Sequence, residues 1–136
     1  MVNIQTKEWL KAGYADLRSI SHIINDDFLT HIVAFHSQQA IEKTLKAILE
    51  SEQKRIPRVH KLVNLISRID FDITIDEEII EILDELYIDS RYPNDMGLLP
   101  YGKPTLEDAK KFYNTAQNIF DEVCTVLQIN ENDLKI

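Results

Sequence analysis

Residues 35–49, FHSQQAIEKTLKAIL, carry the pattern that decides the fold of this chain. They lie in its longest run without Gly or Pro, and apolar residues recur there at the spacing of one helix face: Ala34, Ile41, Leu45 and Ile48. The four residues His36 to Gln39 are polar, although they belong to a helix with a core-facing side. Because a buried imidazole or amide is costly unless it is hydrogen-bonded, this polar block either lines a cleft or forms a buried hydrogen-bond network.

The composition indicates a globular and mainly helical chain. It has 136 residues, 44% hydrophobic and 28% charged, with only three Gly and four Pro. The net charge of −8 argues against a general nucleic-acid surface, so DNA is not expected as a partner. We find neither an apolar leader nor the roughly 18 apolar residues of a membrane span, and the lone Cys124 suits a buried structural thiol. We therefore expect one cytoplasmic domain, residues 1–136.

The first half of the chain predicts three helices. Thr6 is the expected cap of the first, which ends at the polar run starting with Asn25. The second runs from about Phe28 to Gln53, and the connection before it is short enough to make these two helices antiparallel neighbours. A third helix is expected after Pro57, with these apolar positions: Val59, Leu62, Val63, Ile66 and Ile69.

The second half predicts two more helices. Thr74 and Glu77 form a capping-box pattern before an acidic helix whose carboxylates mostly lie away from its apolar seam, which favours a solvated face over a metal cluster. Thr105 and Asp108 form a second such pattern before the last helix, and residues 128–136 are expected to pack weakly. The prediction is an all-α, antiparallel up-and-down bundle of four to five helices.

One region of this acidic chain is basic. Residues 53–69 contain no Asp or Glu but hold six basic residues: Lys54, Arg55, Arg58, His60, Lys61 and Arg68. Two interpretations remain open. The region is either a solvated turn with cations near a helix end, or a contact for an anion such as phosphate.

Three groups of residues resemble the HEPN domain family, which is named for a nucleotide-binding domain of higher eukaryotes and prokaryotes. The first group is Trp9, Ala12, Asp16 and Leu17. The second is the signature of the second helix: Phe35, His36, Gln38, Gln39, Ala40, Glu42, Lys43 and Lys46. The third is His60 and Leu62, then Ser90, Arg91, Tyr92 and Pro93. The resemblance spans about residues 7–127.

The resemblance implies a helical bundle that forms homodimers. It also implies similarity to the substrate-binding subunit of a minimal nucleotidyltransferase, a small enzyme with which many family members are encoded or fused. Other members are metal-independent ribonucleases, often toxins. In those, an Arg and a His separated by four to six residues polarise the phosphate and assist attack by the RNA 2′-hydroxyl.

This sequence departs from the ribonuclease pattern at its decisive point. The positions at which a His should follow Arg91 are Met96, Gly97 and Leu98, and no His occurs after His60. Arg55 and His60 have the right spacing but lie between the second and third helices, so they stand as the alternative catalytic pair. A second version of this alternative pairs Arg91 with His36.

The preferred prediction is therefore a binding module without catalysis of its own. Its candidate ligand-binding residues are Arg91, Tyr92, His36, Gln39 and Lys43. Arg91 would hold phosphate and Tyr92 would stack on a base. The three from the second helix share one face and would line the same cleft, or else form a structural network. Neither a cofactor nor a metal is expected, since the chain lacks a glycine-rich phosphate loop and zinc-ligand spacing. The ligand is expected to be a nucleotide or RNA.

Overall fold

The computed structural model describes residues 3–90 and 102–135, and these form an all-α antiparallel bundle. Its helices are α1 (Ile4–Ile23), α2 (Thr30–Ser51), α3 (Leu62–Ile66), α4 (Glu77–Ser90) and α5 (Leu106–Leu127). A short 3₁₀ turn, Glu131–Leu134, follows α5. None of the described helices combines the length and the apolar character that crossing a bilayer requires. The predicted fold class is confirmed.

Helix α2 is the centre of the bundle. It packs against each of the other four α-helices, and its apolar face is fully buried, including Ile41, Leu45 and Ile48. Helix α1 covers one side with Leu10, Leu17 and Ile20, all at most 2% exposed. The amphipathic helices α4 and α5 close the core from the other side. Because α2 is central, its side chains can contact several neighbouring helices.

The start of α1 differs from the prediction. The helix begins at Ile4, and the side chain of Asn3, not that of Thr6, caps it by accepting a hydrogen bond from the Thr6 backbone N–H (2.8 Å). Thr6 itself lies inside the first turn and is buried. Either residue type can cap a helix, and the backbone at Asn3 is extended, as an N-cap requires.

The third helix is much shorter than predicted. It has five residues, and Val63, expected in the core, is 51% exposed. Its start is fixed from outside, because the Asp84 carboxylate of α4 accepts hydrogen bonds from the backbone N–H groups of Leu62 (2.7 Å) and Val63 (3.2 Å). Asp84 is therefore an exception to the solvated acidic face of α4, and only 5% of it is exposed.

The two predicted capping boxes have different outcomes. At α5 both hydrogen bonds between Thr105 and Asp108 are present, so that prediction is confirmed. Before α4, the N–H of Thr74 instead donates to the Glu122 carboxylate (3.0 Å). The Asp76 side chain accepts from the Ile79 N–H (3.3 Å). The Thr74–Glu77 capping box was thus wrong, because a tertiary partner on α5 holds the Thr74 backbone.

The tail after α5 packs on the bundle, whereas the sequence predicted that it would pack weakly. Ile129 and Leu134 are 7% and 2% exposed. Tyr14 of α1 donates its hydroxyl hydrogen to the Glu131 carboxylate. Gln128, with a φ of 57°, turns the chain back so that these residues reach α1.

Candidate functional site

A carboxylate of α1 forms hydrogen bonds with side chains of the polar face of α2. Asp16 is only 7% exposed. One of its oxygens lies 2.8 Å from the Nδ1 atom of His36, and the other accepts a hydrogen bond from the ammonium of Lys43 (2.8 Å). The structure therefore brings two of the three predicted residues of this helix face together. Asp16 lies one helical turn after Gly13 and next to Leu17, both of which are buried. A carboxylate among such core-facing residues indicates that it needs hydrogen-bond partners.

The third residue of that face has another partner. The side-chain amide of Gln39 donates to the side-chain oxygen of Gln38 (2.7 Å). Gln38 is fully buried, and its own amide donates to the backbone oxygen of His60 (2.8 Å). Gln39 is thereby connected to the turn that follows α2. The buried hydrogen-bond network offered as one interpretation of this block is present at this point.

A second buried carboxylate, Glu42, lies one turn further along α2. It is 4% exposed and accepts from the ammonium of Lys46 (2.9 Å) and the amide of Gln38 (3.3 Å). Its other neighbour is the Nδ1 atom of His60, at 3.2 Å. Lys46 is also nearly buried, and its ammonium lies 5.4 Å from the centre of the Trp9 ring. The predicted pair of Glu42 and Lys46 is confirmed, and it lies in the interior of the bundle.

Four rings form a continuous row on the surface above these carboxylates. His36 and Phe35 have ring centres 5.5 Å apart, Phe35 and Tyr87 6.2 Å apart, and Tyr87 and His60 5.6 Å apart. Phe35 is 37% exposed, and the side chain of His60 is 54% exposed. We call these four residues the ring row. Sequence reasoning missed Phe35 and Tyr87 as site residues, since only the packing of α4 on α2 brings their rings together.

The carboxylates fix the chemistry of the two histidines. A carboxylate oxygen can only accept a hydrogen bond, so Nδ1 of His36 and of His60 must carry the proton. The Nε2 atoms have no hydrogen-bond partner among the described residues. In the neutral ring each Nε2 is then an acceptor. Such a pair of anchored imidazoles can bind a donor group of a ligand or take a proton from one.

The structure places only part of the remaining candidates. Arg91 and Tyr92, like Met96, Gly97 and Leu98, fall outside the described residues. Arg55 is exposed and lines a surface pocket that His60 does not line. Among the described residues, no group of three His, Cys, Asp or Glu side chains is arranged to hold a metal ion.

Cys124 is a half-buried thiol on α5. Burial of the thiol and, to a lesser extent, the nearby Asp121 carboxylate raise its pKa to about 12. A thiol with such a pKa is a poor nucleophile at neutral pH, as expected for a structural residue.

A family model for the HEPN domain matches residues 6–128, which agrees with the range over which the sequence resembles that family. No curated protein and no solved structure matches the chain.

Proposed function

The chain belongs to the HEPN domain family, and on that premise we propose that it is a nucleotide-binding accessory module of a minimal nucleotidyltransferase, without catalysis of its own. Family membership points to a nucleotide- or RNA-related function. The observation that carries the proposal is the ring row, a partly exposed aromatic surface with two of its four rings anchored on buried carboxylates.

A surface of this kind suits a nucleobase. Planar bases stack on aromatic side chains, and a platform that is already rigid loses little entropy when the ligand binds. Phe35, which is 37% exposed, offers a ring for stacking. The Nε2 atom of His36 offers an acceptor, and Lys43 on the same helix face offers a positive charge near the ligand's phosphate. In this proposal Arg91 and Tyr92 complete the site, with Arg91 as the bidentate phosphate contact.

The proposal includes the assembly that the family implies. We propose a cytoplasmic homodimer that presents the ligand to the nucleotidyltransferase or holds that enzyme's substrate. An exposed row of rings is compatible with either arrangement, because the same surface that stacks on a base can also lie at the edge of a protein interface.

Calorimetric titration tests the ring row directly. We expect the wild-type protein to bind at least one of the common nucleotides, and Phe35→Ala to weaken that binding about tenfold, the effect of losing one stacked base. Phe28→Ala is the matched control, since Phe28 is 71% exposed but lies outside the ring row. Absence of binding to any nucleotide, with or without the transferase, would refute the proposal, as would equal losses in the two variants.

A second candidate function is a metal-independent ribonuclease. The anchored histidines favour it, because an imidazole whose Nδ1–H is held by a carboxylate is oriented for proton transfer at Nε2. The pairs are Arg55 with His60, or Arg91 with His36. RNA cleavage in the presence of a chelator should then be lost in His36→Ala or in His60→Ala. An inactive wild-type protein, or activity that survives both changes, excludes this function.

A further inference from the structure

One surface pocket beside the end of α2 is lined by three arginines. The pocket has a volume of about 580 Å³ and is lined by Arg55, Ile56, Pro57, Arg58 and Arg68. Its lining residues are three arginines and two apolar residues, with no Asp or Glu among them, on a chain whose net charge is −8. We call it the arginine pocket.

The backbone around the pocket is held in place by defined contacts. Two residues after α2, Gln53 adopts a left-handed backbone conformation (φ 58°), and the N–H of Lys54 then donates back to the Leu49 carbonyl (2.9 Å). This reversal sends residues 55–58 along the surface, where Pro57 restricts the backbone further. The ammonium of Lys54 donates to the carbonyl of Arg68 (2.7 Å). That bond brings the segment after α3 to the same place.

The carboxylates closest in sequence are already occupied. Glu52 and Asp70 both pair with Lys54, at 3.2 and 3.0 Å. Glu52 also accepts hydrogen bonds from the backbone N–H groups of Asp70 (2.8 Å) and Phe71 (2.9 Å). These contacts leave the arginines of the pocket without a carboxylate from this turn.

The three guanidinium charges are therefore not compensated within the described part of the chain. Neither Arg55 nor Arg58 forms a hydrogen bond or ion pair with a described residue, and Arg68 donates only to the neutral side chain of Asn64 (2.7 Å). Like charges repel each other when they share a pocket. An anion placed between them removes that repulsion and gains charge-assisted hydrogen bonds.

We propose that the arginine pocket binds the polyphosphate group of a ligand, such as the triphosphate of a nucleotide. Guanidinium forks match phosphate oxygens in a bidentate manner, and three of them suit a compact group with several negative charges. A single-stranded nucleic acid instead needs cations spread along a path. The inference does not depend on base binding by the ring row, because the two surfaces recognise different parts of a nucleotide.

Inorganic triphosphate, which has no base, is the probe for the pocket. In calorimetry at low ionic strength it should bind the wild-type protein, and Arg55→Gln and Arg58→Gln should each weaken binding about tenfold. These two variants should fold normally, since neither side chain has a hydrogen bond or ion pair with a described residue; thermal unfolding checks this. Arg18→Gln is the control, because it removes the same charge from the exposed face of α1.

Three results overturn the proposal. The first is absence of triphosphate binding to the wild-type protein, and the second is an equal loss of affinity in Arg18→Gln. The third is that a short RNA without a terminal phosphate binds more tightly than triphosphate and that Arg55→Gln abolishes this binding. The last result would assign the pocket to a nucleic-acid backbone. An unphosphorylated nucleoside, titrated in parallel, reports on the ring row alone, so failure of one proposal is distinguishable from failure of the other.

Discussion

Three buried carboxylates each connect a different pair of elements. Asp16 joins α1 to the polar block of α2, Glu42 joins α2 to the turn at His60, and Asp84 joins α4 to the start of α3. Each carboxylate accepts from at least two donors, which is what makes burial of the charge tolerable. At this scale, a polar residue in an apolar seam marks a structural junction, and Asp16 and Glu42 each also hold a histidine, of which His36 is partly exposed and His60 exposed.

The pair of Glu42 and Lys46 should show strong energetic coupling. Both side chains are less than a tenth exposed. Removing one partner leaves a buried charge, so we expect Glu42→Gln and Lys46→Met each to lower the free energy of unfolding by about 2 kcal/mol or more. The double variant should lose about 2 kcal/mol less than the sum of the two, because no lone charge remains. Urea denaturation measures all three.

The exposed pair of Glu107 and Lys111 provides the control for this double-mutant cycle. It has the same spacing of four residues, but both side chains are mostly in water and their charged atoms are 3.7 Å apart. We expect its coupling energy to be below about 0.5 kcal/mol. Similar coupling in the two cycles would show that burial of the Glu42–Lys46 pair adds nothing.

Cys124 should react with thiol reagents only slowly in the folded protein. With its pKa raised to about 12 by burial, the thiolate fraction at pH 8 is on the order of 10⁻⁴. The rate of reaction with a chromogenic disulfide should therefore rise about tenfold per pH unit from pH 7 to 10 without levelling off. In urea the same cysteine should react far faster and level off above about pH 9, near the ordinary thiol value. Levelling in the folded protein at that pH would contradict the assignment.

At the scale of elements, the contact between α1 and α2 depends on a glycine. A Cβ atom at Gly13 would lie 3.3 Å from the Ala40 carbonyl oxygen and 3.4 Å from the Thr44 hydroxyl. The Ala40 oxygen belongs to the backbone of α2 and cannot move aside easily. The absence of a side chain thus sets how closely the two helices approach, directly beside the hydrogen bonds of Asp16 with His36 and Lys43.

A larger residue at this position should force the helices apart. We expect Gly13→Val to lower the free energy of unfolding by about 2 kcal/mol or more through overpacking. Gly13→Ala should have a smaller effect, because the gain in helix propensity of roughly 1 kcal/mol offsets part of the strain. Denaturant unfolding measures both changes.

Ala15→Val is the control for the glycine variants. It introduces a valine two residues away on the exposed face of α1 and should change stability by less than about 0.5 kcal/mol beyond its helix propensity. Equal losses for Val at positions 13 and 15 would mean that the close approach of the helices does not determine the effect.

At the scale of the whole molecule, the tail completes the bundle. The 3₁₀ turn places Leu134 in the core and Glu131 against Tyr14 of α1, so residues after α5 close one end of the fold. The ring of Tyr14 also lies 6.1 Å from that of Phe120. Contacts among α1, α5 and the tail therefore form one unit.

Removal of residues 129–136 should destabilise the whole bundle. Loss of two buried apolar side chains, Ile129 and Leu134, should cost about 3–6 kcal/mol, as estimated from the burial of side chains of this size. Leu134→Ala should account for about half of the loss, whereas Asn132→Ala, at an exposed position, should be neutral. Unchanged denaturant midpoints after the truncation would show that the tail packs without contributing to stability.

Local patterns predicted the helices wherever sequence-adjacent residues decide the structure. The apolar spacing of α1, α2, α4 and α5 and the capping box at Thr105 follow from helix periodicity and local hydrogen bonds, so they could be read directly. The short α3 and the backbone at Thr74 could not, because Asp84 and Glu122 reach them from other helices. The packed tail was likewise missed, since its partner Tyr14 lies 117 residues earlier.

The candidate site likewise combines features that local sequence predicts with features that only packing decides. The sequence by itself determined the helical bundle, the family and the polar block at His36, because a periodic helix and a dense family signature are local properties of the chain. Only the tertiary structure decided that Asp16 and Glu42 hold the two histidines, that Tyr87 joins Phe35 in one ring row, and that three arginines share a pocket. Side chains from different elements meet only when the helices pack, and no local spacing specifies which of them will face each other.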